Sequence, residues 1–336
     1  MRFSSAALAA GMLFAVMTGT AQADPAKVSG STTVGVHNTY DTAAYDYLAR
    51  SLDNGTSLIE LDVWPNIITK EWKVSHSNPL GNGNNCVAAT SASQLYTGGK
   101  NKNLEYCLDD IRIWLDAHPG KGPILLKLEM KTGFSDNGGR GPDELDASIR
   151  GHLGGHVFRP ADLLGGYATL DEAAKADNWP TRSSLQGKVF IEIIPGTVEE
   201  GNPTDTLKTD VEYARYLVGL KNAGRLGDAQ VFPTVHGAVG GDPRDKYEAA
   251  LKPWFVFFDG DANAWLTNTG PWWYDANHYF VVMTDAHNVA PAIDSRNPTP
   301  EQATQRLTDL AKAHASMITS DWVGLTTVLP LVVPRG

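Results

Sequence analysis

Two histidines, three carboxylates and an asparagine fall along this chain in an order that suits phosphodiester chemistry. His37 and Asn38 close an apolar run at 33–38, Glu60 and Asp62 sit in the run 57–64, His76 follows the short segment 72–75, and Glu129 lies in the run 124–131. Glu60 and Asp62 are two residues apart, so on a strand they face the same side and their oxygens share a target. Two carboxylates on an otherwise apolar strand are costly to bury without a partner. A divalent cation removes that cost. With Asn38 and Glu129 the set is all oxygen, which suits Ca²⁺ or Mg²⁺ better than Zn²⁺. The competing reading is plain salt bridging, Glu60 with Lys73 and Glu129 with Lys127 or Lys131. Beside a cation, His37 and His76 make a proton-transfer pair, one taking and one giving a proton near neutral pH. Phosphodiester cleavage needs both transfers, because the attacking hydroxyl loses a proton and the leaving alcohol gains one. His118, His152, His156 and His314 read as surface or satisfied core residues, whereas His236 and His287 follow candidate strands and can line a site mouth.

These residues need a scaffold that brings strand ends together. Eight short apolar runs recur, at 33–38, 57–64, 124–131, 189–194, 231–236, 254–260, 279–285 and 315–321. Their near-continuous apolar character predicts parallel strands covered on both faces. Helical stretches are predicted between them at 42–52, 104–117, 144–151, 210–223 and 300–314, the last with Thr299 and Pro300 as a start signal. Eight strands alternating with helices predict an α/β fold, a single (β/α)₈ TIM barrel. An open doubly wound sheet is the alternative, but no Gly-rich phosphate loop follows an early strand: the run at 81–84 lacks a helix-opening Lys-Ser/Thr. His37, Asp62, Glu129, His236, Asp259, Asp285 and Asp321 all sit at the C-terminal ends of their runs, and in a barrel those ends share one mouth. The Gly-rich stretches 133–142 and 196–203 are predicted as loops over it.

Length and composition limit the other possibilities. The 336 residues, 42% hydrophobic with two cysteines, exclude a disulfide-rich module or a coiled coil. The net charge of -10 argues against a nucleic-acid binder. Residues 1–23 have one Arg, a short Ala-rich apolar stretch and the small-residue ending Ala21-Gln22-Ala23, the form of a secretory signal cut after Ala23. The expected organisation is therefore a signal at 1–23 and one catalytic barrel at 24–336, secreted or periplasmic. In an exported chain, exactly two cysteines predict a local disulfide between Cys86 and Cys107.

The ordered motifs GVHNTY, ELDVW and VSH resemble the X-box region of phosphoinositide-specific phospholipase C, in particular its secreted bacterial calcium-dependent branch. The resemblance implies a barrel enzyme that cleaves phosphatidylinositol-type lipids to diacylglycerol and a cyclic inositol phosphate, which is then open to hydrolysis. It implies His37 and His76 as catalytic histidines, His37 at the attacked phosphate and His76 as acid toward the leaving glyceride oxygen. Asn38, Glu60, Asp62 and Glu129 are the implied calcium ligands, with Glu60 or Glu129 assisting as base. Lys131 is the candidate phosphate contact, and His236, Asp259, Asp285 and Asp321 the candidates along the ring. Eukaryotic members place lysines on the fourth strand for ring phosphates, whereas this chain has Glu192 there, which favours a headgroup with few or none.

Glycerophosphodiester phosphodiesterases and sphingomyelinase D-like enzymes share the layout, but the former typically begin His-Arg-Gly where this chain has His37-Asn38-Thr39. A non-catalytic headgroup-binding barrel and a purely structural module are the readings from other classes. Contact with a membrane is expected to be peripheral, and the chain monomeric. Trp265, Trp272, Trp273 and Tyr274 form an aromatic loop that either docks on a bilayer or packs as a lid.

Overall fold

The computed structural model describes residues 26–238 and 240–336. The predicted signal and its cleavage point lie outside them. Eleven strands form one sheet: β1 (Ser31–Val36), β2 (Leu58–Asn66), β3 (Glu71–Val74), β4 (Ile124–Met130), β5 (Val157–Phe158), β6 (Val189–Pro195), β7 (Phe232–His236), β8 (Phe257–Asp261), β9 (Phe280–Thr284), β10 (Met317–Ser320) and β11 (Val332–Pro334). Their order is β11-β1-β10-β9-β8-β7-β6-β4-β2-β3, with β5 set against β6. The eight predicted runs supply the parallel strands from β1 round to β2. Three short strands escape the periodicity argument: β3 lies antiparallel to β2, β11 antiparallel to β1, and β5 has only two residues.

The sheet curls into a distorted barrel that stays open between β1 and β2. No strand ladder joins this pair among the described residues; instead the Val36 N–H donates to Thr56 Oγ1 at 3.1 Å and the Glu60 N–H to Thr39 Oγ1 at 2.9 Å. Threonine hydroxyls thus satisfy amides that a closed barrel would pair with carbonyls. Gly35 lets the two strands approach, since a Cβ there would lie 2.6 Å from that of Leu58. His37, Asn38, Glu60 and Asp62 border this seam.

The N-terminal ends of the strands are closed by aromatic rings. Phe190, Phe232, Phe257 and Phe280 pack tilted or edge-on with centroids 4.8 to 6.1 Å apart, and Trp179 packs on them from outside the strands. With the floor sealed by apolar bulk, polar residues are left to the opposite end. The predicted helices appear at Leu48–Asp53, Leu104–Ala117, Pro142–Leu153, Thr209–Asn222 and Pro300–Lys312. The first begins later than predicted because Asp41 Oδ1 accepts the Ala43 N–H, and a local side-chain bond of that kind competes with helix. The last starts at a capping box, in which Thr299 and Gln302 satisfy each other's amides.

Cys86 and Cys107 form the expected disulfide, with Cα atoms 5.0 Å apart. It ties the long segment after His76 to the helix Leu104–Ala117. Two buried asparagines hold that same segment: Asn84 Nδ2 donates to Val74 O and Lys102 O, and Asn85 Nδ2 to Thr39 O and Tyr45 O. The loops carrying the two candidate catalytic histidines are thereby locked to each other. Replacing both cysteines by serine is expected to lower stability by about 3 kcal/mol on the loop-entropy model. Urea unfolding checks this, and an unchanged midpoint would contradict it.

Candidate active site

Alternation along the strands sets the depth of each side chain. In β4, Lys127, Glu129 and the following Lys131 share the inward face, and β2 aligns Glu60 with Lys127 and Asp62 with Glu129. His37 and Asn38 come off the end of β1, and His76 follows β3. Asn38 takes a left-handed backbone, φ 52°, which asparagine tolerates better than most residues. Its N–H is thereby turned onto Glu60 Oε2 at 2.9 Å.

Each histidine rests one ring nitrogen on a carboxylate. His37 Nδ1 is 3.1 Å from Asp321 Oδ1, and His76 Nδ1 is 3.1 Å from Asp62 Oδ2. His76 therefore keeps Nε2 for a reactant, and His37 holds its own 3.8 Å from Glu60 Oε2, the arrangement that orients an imidazole for proton transfer. Burial disfavours charge on His37, but Glu60 and the hydrogen bond to Asp321 outweigh it and raise its pKa to about 9. The same hydrogen bond holds Asp321 below the usual carboxylate range. Burial likewise opposes charge on Glu60, yet Lys127 and then His37 keep it low. Asp62 is pushed up to about 6, first by burial and then by Glu129 and Glu60.

The lysine pairing differs from the salt-bridge reading. Lys73 pairs with Glu71 at 2.7 Å, not with Glu60. Lys127 Nζ lies 3.0 Å from Asp259 and 3.4 Å from Glu60, and Lys131 Nζ lies 2.7 Å from Glu129 and 3.3 Å from Asp62. The inward carboxylates Glu60, Asp62, Glu129, Glu192 and Asp259 still outnumber these two ammonium groups. Asp62 Oδ1 and the Tyr40 hydroxyl are both buried without a close hydrogen bond, although the hydroxyl lies near enough to the Asp62 carboxylate to act on it. Among the described residues, no three His, Cys, Asp or Glu side chains stand close enough to enclose an ion as they are placed. The chemistry of the donors nevertheless fits a hard divalent cation: oxygen atoms only, an excess of negative charge, and one carboxylate oxygen left without a close hydrogen bond.

A cavity of about 340 Å³ opens between His37, Glu60 and Glu129 on one side and His236, Asp259 and Asp285 on the other. Glu200 and Asp261 add two further acids to its wall. Glu192, expected at the substrate, is instead fully buried beneath the mouth, near Thr234 Oγ1 at 3.4 Å, so it faces no headgroup. Lys131, expected at the phosphate, is 3% exposed and spends its ammonium on carboxylates. Asp321 serves His37 where a ring contact was expected. Lys127 was overlooked as a central residue, although the Lys-x-Glu-x-Lys spacing at 127–131 already puts three charges on one strand face.

His118, His152, His156 and His314 lie elsewhere, against Trp114, Asp109, Asp116 and Asp275. His287 holds the Ser320 hydroxyl at 2.9 Å. The raised pKa of His37 means the folded state binds that proton more tightly. Its contribution to stability is complete below about pH 6.5 and lost as pH rises through about 9. In chelator-treated protein, NMR titration should place the His37 midpoint near 9, and Asp321→Asn should move it down; an unmoved midpoint counts against the dyad.

Residues 93–202 match the family model described as phosphoinositide phospholipase C, Ca²⁺-dependent. Among solved structures, a Ca²⁺-dependent phosphatidylinositol-specific phospholipase C from Streptomyces antibioticus is 54% identical, with a TM-score of 0.90 over 92% of this chain and 99% of that one. A calcium-dependent phosphoinositol-specific phospholipase C from Pseudomonas sp. shares the fold at 21% identity, with a TM-score of 0.68 over 92% and 96% of the two chains. No curated protein matches the chain. The extent of the Streptomyces match and the barrel that carries it place this chain in the calcium-dependent phosphoinositide phospholipase C family, as a phosphoric diester hydrolase.

Proposed function

We propose that the cavity holds the headgroup of a phosphatidylinositol-type lipid and that His37 and His76 work on opposite sides of its phosphorus. The observation that carries this reading is the matched pair of histidines, each with Nδ1 on its own carboxylate, at a mouth with excess negative charge. His37, in its protonated form, donates from Nε2 to a phosphoryl oxygen. The inositol 2-hydroxyl attacks phosphorus, its proton passing to a carboxylate, and the bond to the glyceride oxygen breaks as His76 gives that oxygen a proton. Diacylglycerol leaves, and a cyclic inositol phosphate remains. Glu60 or Glu129 accepts that proton, and the lowered pKa of Glu60, held down by Lys127 and His37, weakens it as a base.

Asn38, Glu60, Asp62 and Glu129 are the residues we assign to calcium. Bound there, the ion would lower the pKa of the attacking hydroxyl and offset charge on the phosphoryl oxygens. His236 and Asp285 face the ring, where a carboxylate accepts from hydroxyls, and Asp259 closes the cavity beneath them on Lys127. With Glu200 and Asp261 beside them, this wall repels ring phosphomonoesters. The preference for a headgroup with few ring phosphates thus rests on these acids and no longer on Glu192.

Docking is peripheral: among the described residues no helix is long and apolar enough to cross a membrane. Of the aromatic loop only Trp272 is largely exposed, at 63%, whereas Trp265 and Tyr274 are buried in the packing beneath. Exposed Ile68 between β2 and β3 and Leu80 after His76 extend from the same end of the barrel, and such a rim suits insertion at headgroup depth. We assign residues 1–23 to export and 24–336 to one catalytic domain, whose extent the match over 92% of the chain supports, and we take that domain to act as a monomer.

Product identification tests the reaction. Phosphatidylinositol vesicles should yield diacylglycerol with calcium and none after chelation; activity retained in chelator would remove the metal role. His76→Ala should lower turnover by about 10²-fold or more with the fold intact, measured by steady-state kinetics. Trp272→Ala should reduce activity on vesicles while sparing a soluble monomeric substrate, and equal losses on both would exclude the docking role.

A further inference from the structure

Asp62 and Glu129 are register partners on adjacent parallel strands. Like charges placed opposite each other on one face repel. Lys131 answers that repulsion with an ammonium 2.7 Å from Glu129 Oε1 and 3.3 Å from Asp62 Oδ2, and Thr197 Oγ1 stands at 3.4 Å. Three oxygens match the three donors of an ammonium group. The backbone beneath is held as firmly. The Lys131 N–H donates to Val63 O at 2.9 Å, its carbonyl accepts from the Glu199 N–H at 2.8 Å, and a Cβ on Gly196 would come within 2.7 Å of its Cα. A side chain so anchored, and 3% exposed, is out of reach of a lipid phosphate.

This contact sorts the carboxylate oxygens. Asp62 Oδ2 takes both His76 and Lys131, while Oδ1 is buried with no close hydrogen bond, the nearby Tyr40 hydroxyl being a neutral donor that a cation can displace. Glu129 Oε1 takes Lys131 and the Thr197 N–H at 3.2 Å, leaving Oε2 outside both contacts. We propose that Lys131 is a positioning residue for the metal: by pinning one oxygen of Asp62 and one of Glu129, it fixes their spacing and presents the other two together to a divalent cation. The inference rests on the assignment of Asp62 and Glu129 as calcium ligands. Charge alone points the other way, because removing a nearby ammonium leaves the site more negative and would tighten cation binding.

The sign of the effect is therefore the test. Calorimetric Ca²⁺ titration of chelator-stripped protein should show Lys131→Met binding calcium about 10-fold or more weakly, in line with the cost of losing a residue that orients metal ligands. Lys131→Arg, whose fork reaches two carboxylates, should lose least, and Lys131→Gln should fall between. Thermal unfolding in chelator runs alongside: a merely structural lysine would lower the midpoint and leave the affinity of the folded protein unchanged. Unchanged or tighter calcium binding by folded Lys131→Met overturns the proposal, and Lys131→Gln decides if the Met variant does not fold. Asp62→Asn and Glu129→Gln separate the two layers of argument. If neither weakens calcium, the ligand assignment fails and the clamp with it; if they do and the Lys131 variants do not, the clamp alone fails.

Discussion

Carboxylates crowded into the mouth of a barrel are the constraint around which the rest of this molecule is arranged. Glu60, Asp62, Glu129, Glu192 and Asp259 point into one space walled by apolar strands, where each unpaired charge would cost several kcal/mol. Two lysines from a single strand offset part of that charge. Lys127 works at depth, against Asp259 and Glu60, and Lys131 near the rim, against Asp62 and Glu129. Glu192, sealed in and close to Asp259, is held well above the ordinary carboxylate range by burial and by that neighbour. The charge left over at the rim is what a hard cation requires.

The open seam between β1 and β2 serves the same arrangement. A regular ladder there would spend the Asn38 and Glu60 amides on strand carbonyls. Here the Thr39 hydroxyl takes the Glu60 amide, and the Asn38 amide is free to bind the Glu60 carboxylate. The distortion of the barrel and the orientation of its first two site residues are one structural event. Below, the phenylalanine floor keeps water from the strand bases, so the polar network is confined to one end.

The two histidines are matched in geometry but not in surroundings. His37 draws on Asp321 and faces Glu60, and this holds its proton through neutral pH. His76 sits on a longer connection, and its fixed place depends on Asn84, Asn85 and the disulfide behind them. The fold thus keeps an exposed histidine in register without surrounding it by strands. Its open position suits the role proposed for it, as acid toward a lipid still seated in a membrane.

All eight barrel strands and the five main helices were legible in the sequence, because apolar runs and start signals act over a few neighbouring residues. Period-two spacing likewise made it readable that Glu60 and Asp62 share a face and that strand-end residues gather at one mouth. Which charges then meet was not legible. Lys127 pairs with Asp259, 132 residues further along the chain, because barrel closure sets β4 across from β8. Glu192 carries the same carboxyl as Glu129, yet it starts one layer deeper, since register places it beside Lys127 whereas Glu129 lies beside Ile194. Depth along a strand and the partner across the barrel follow from sheet register and curvature, which depend on the whole chain. The sequence by itself therefore determined the scaffold and the inventory of chemical groups. Only the tertiary structure decided which carboxylates are compensated, which one is sealed away, and which oxygens remain for an ion.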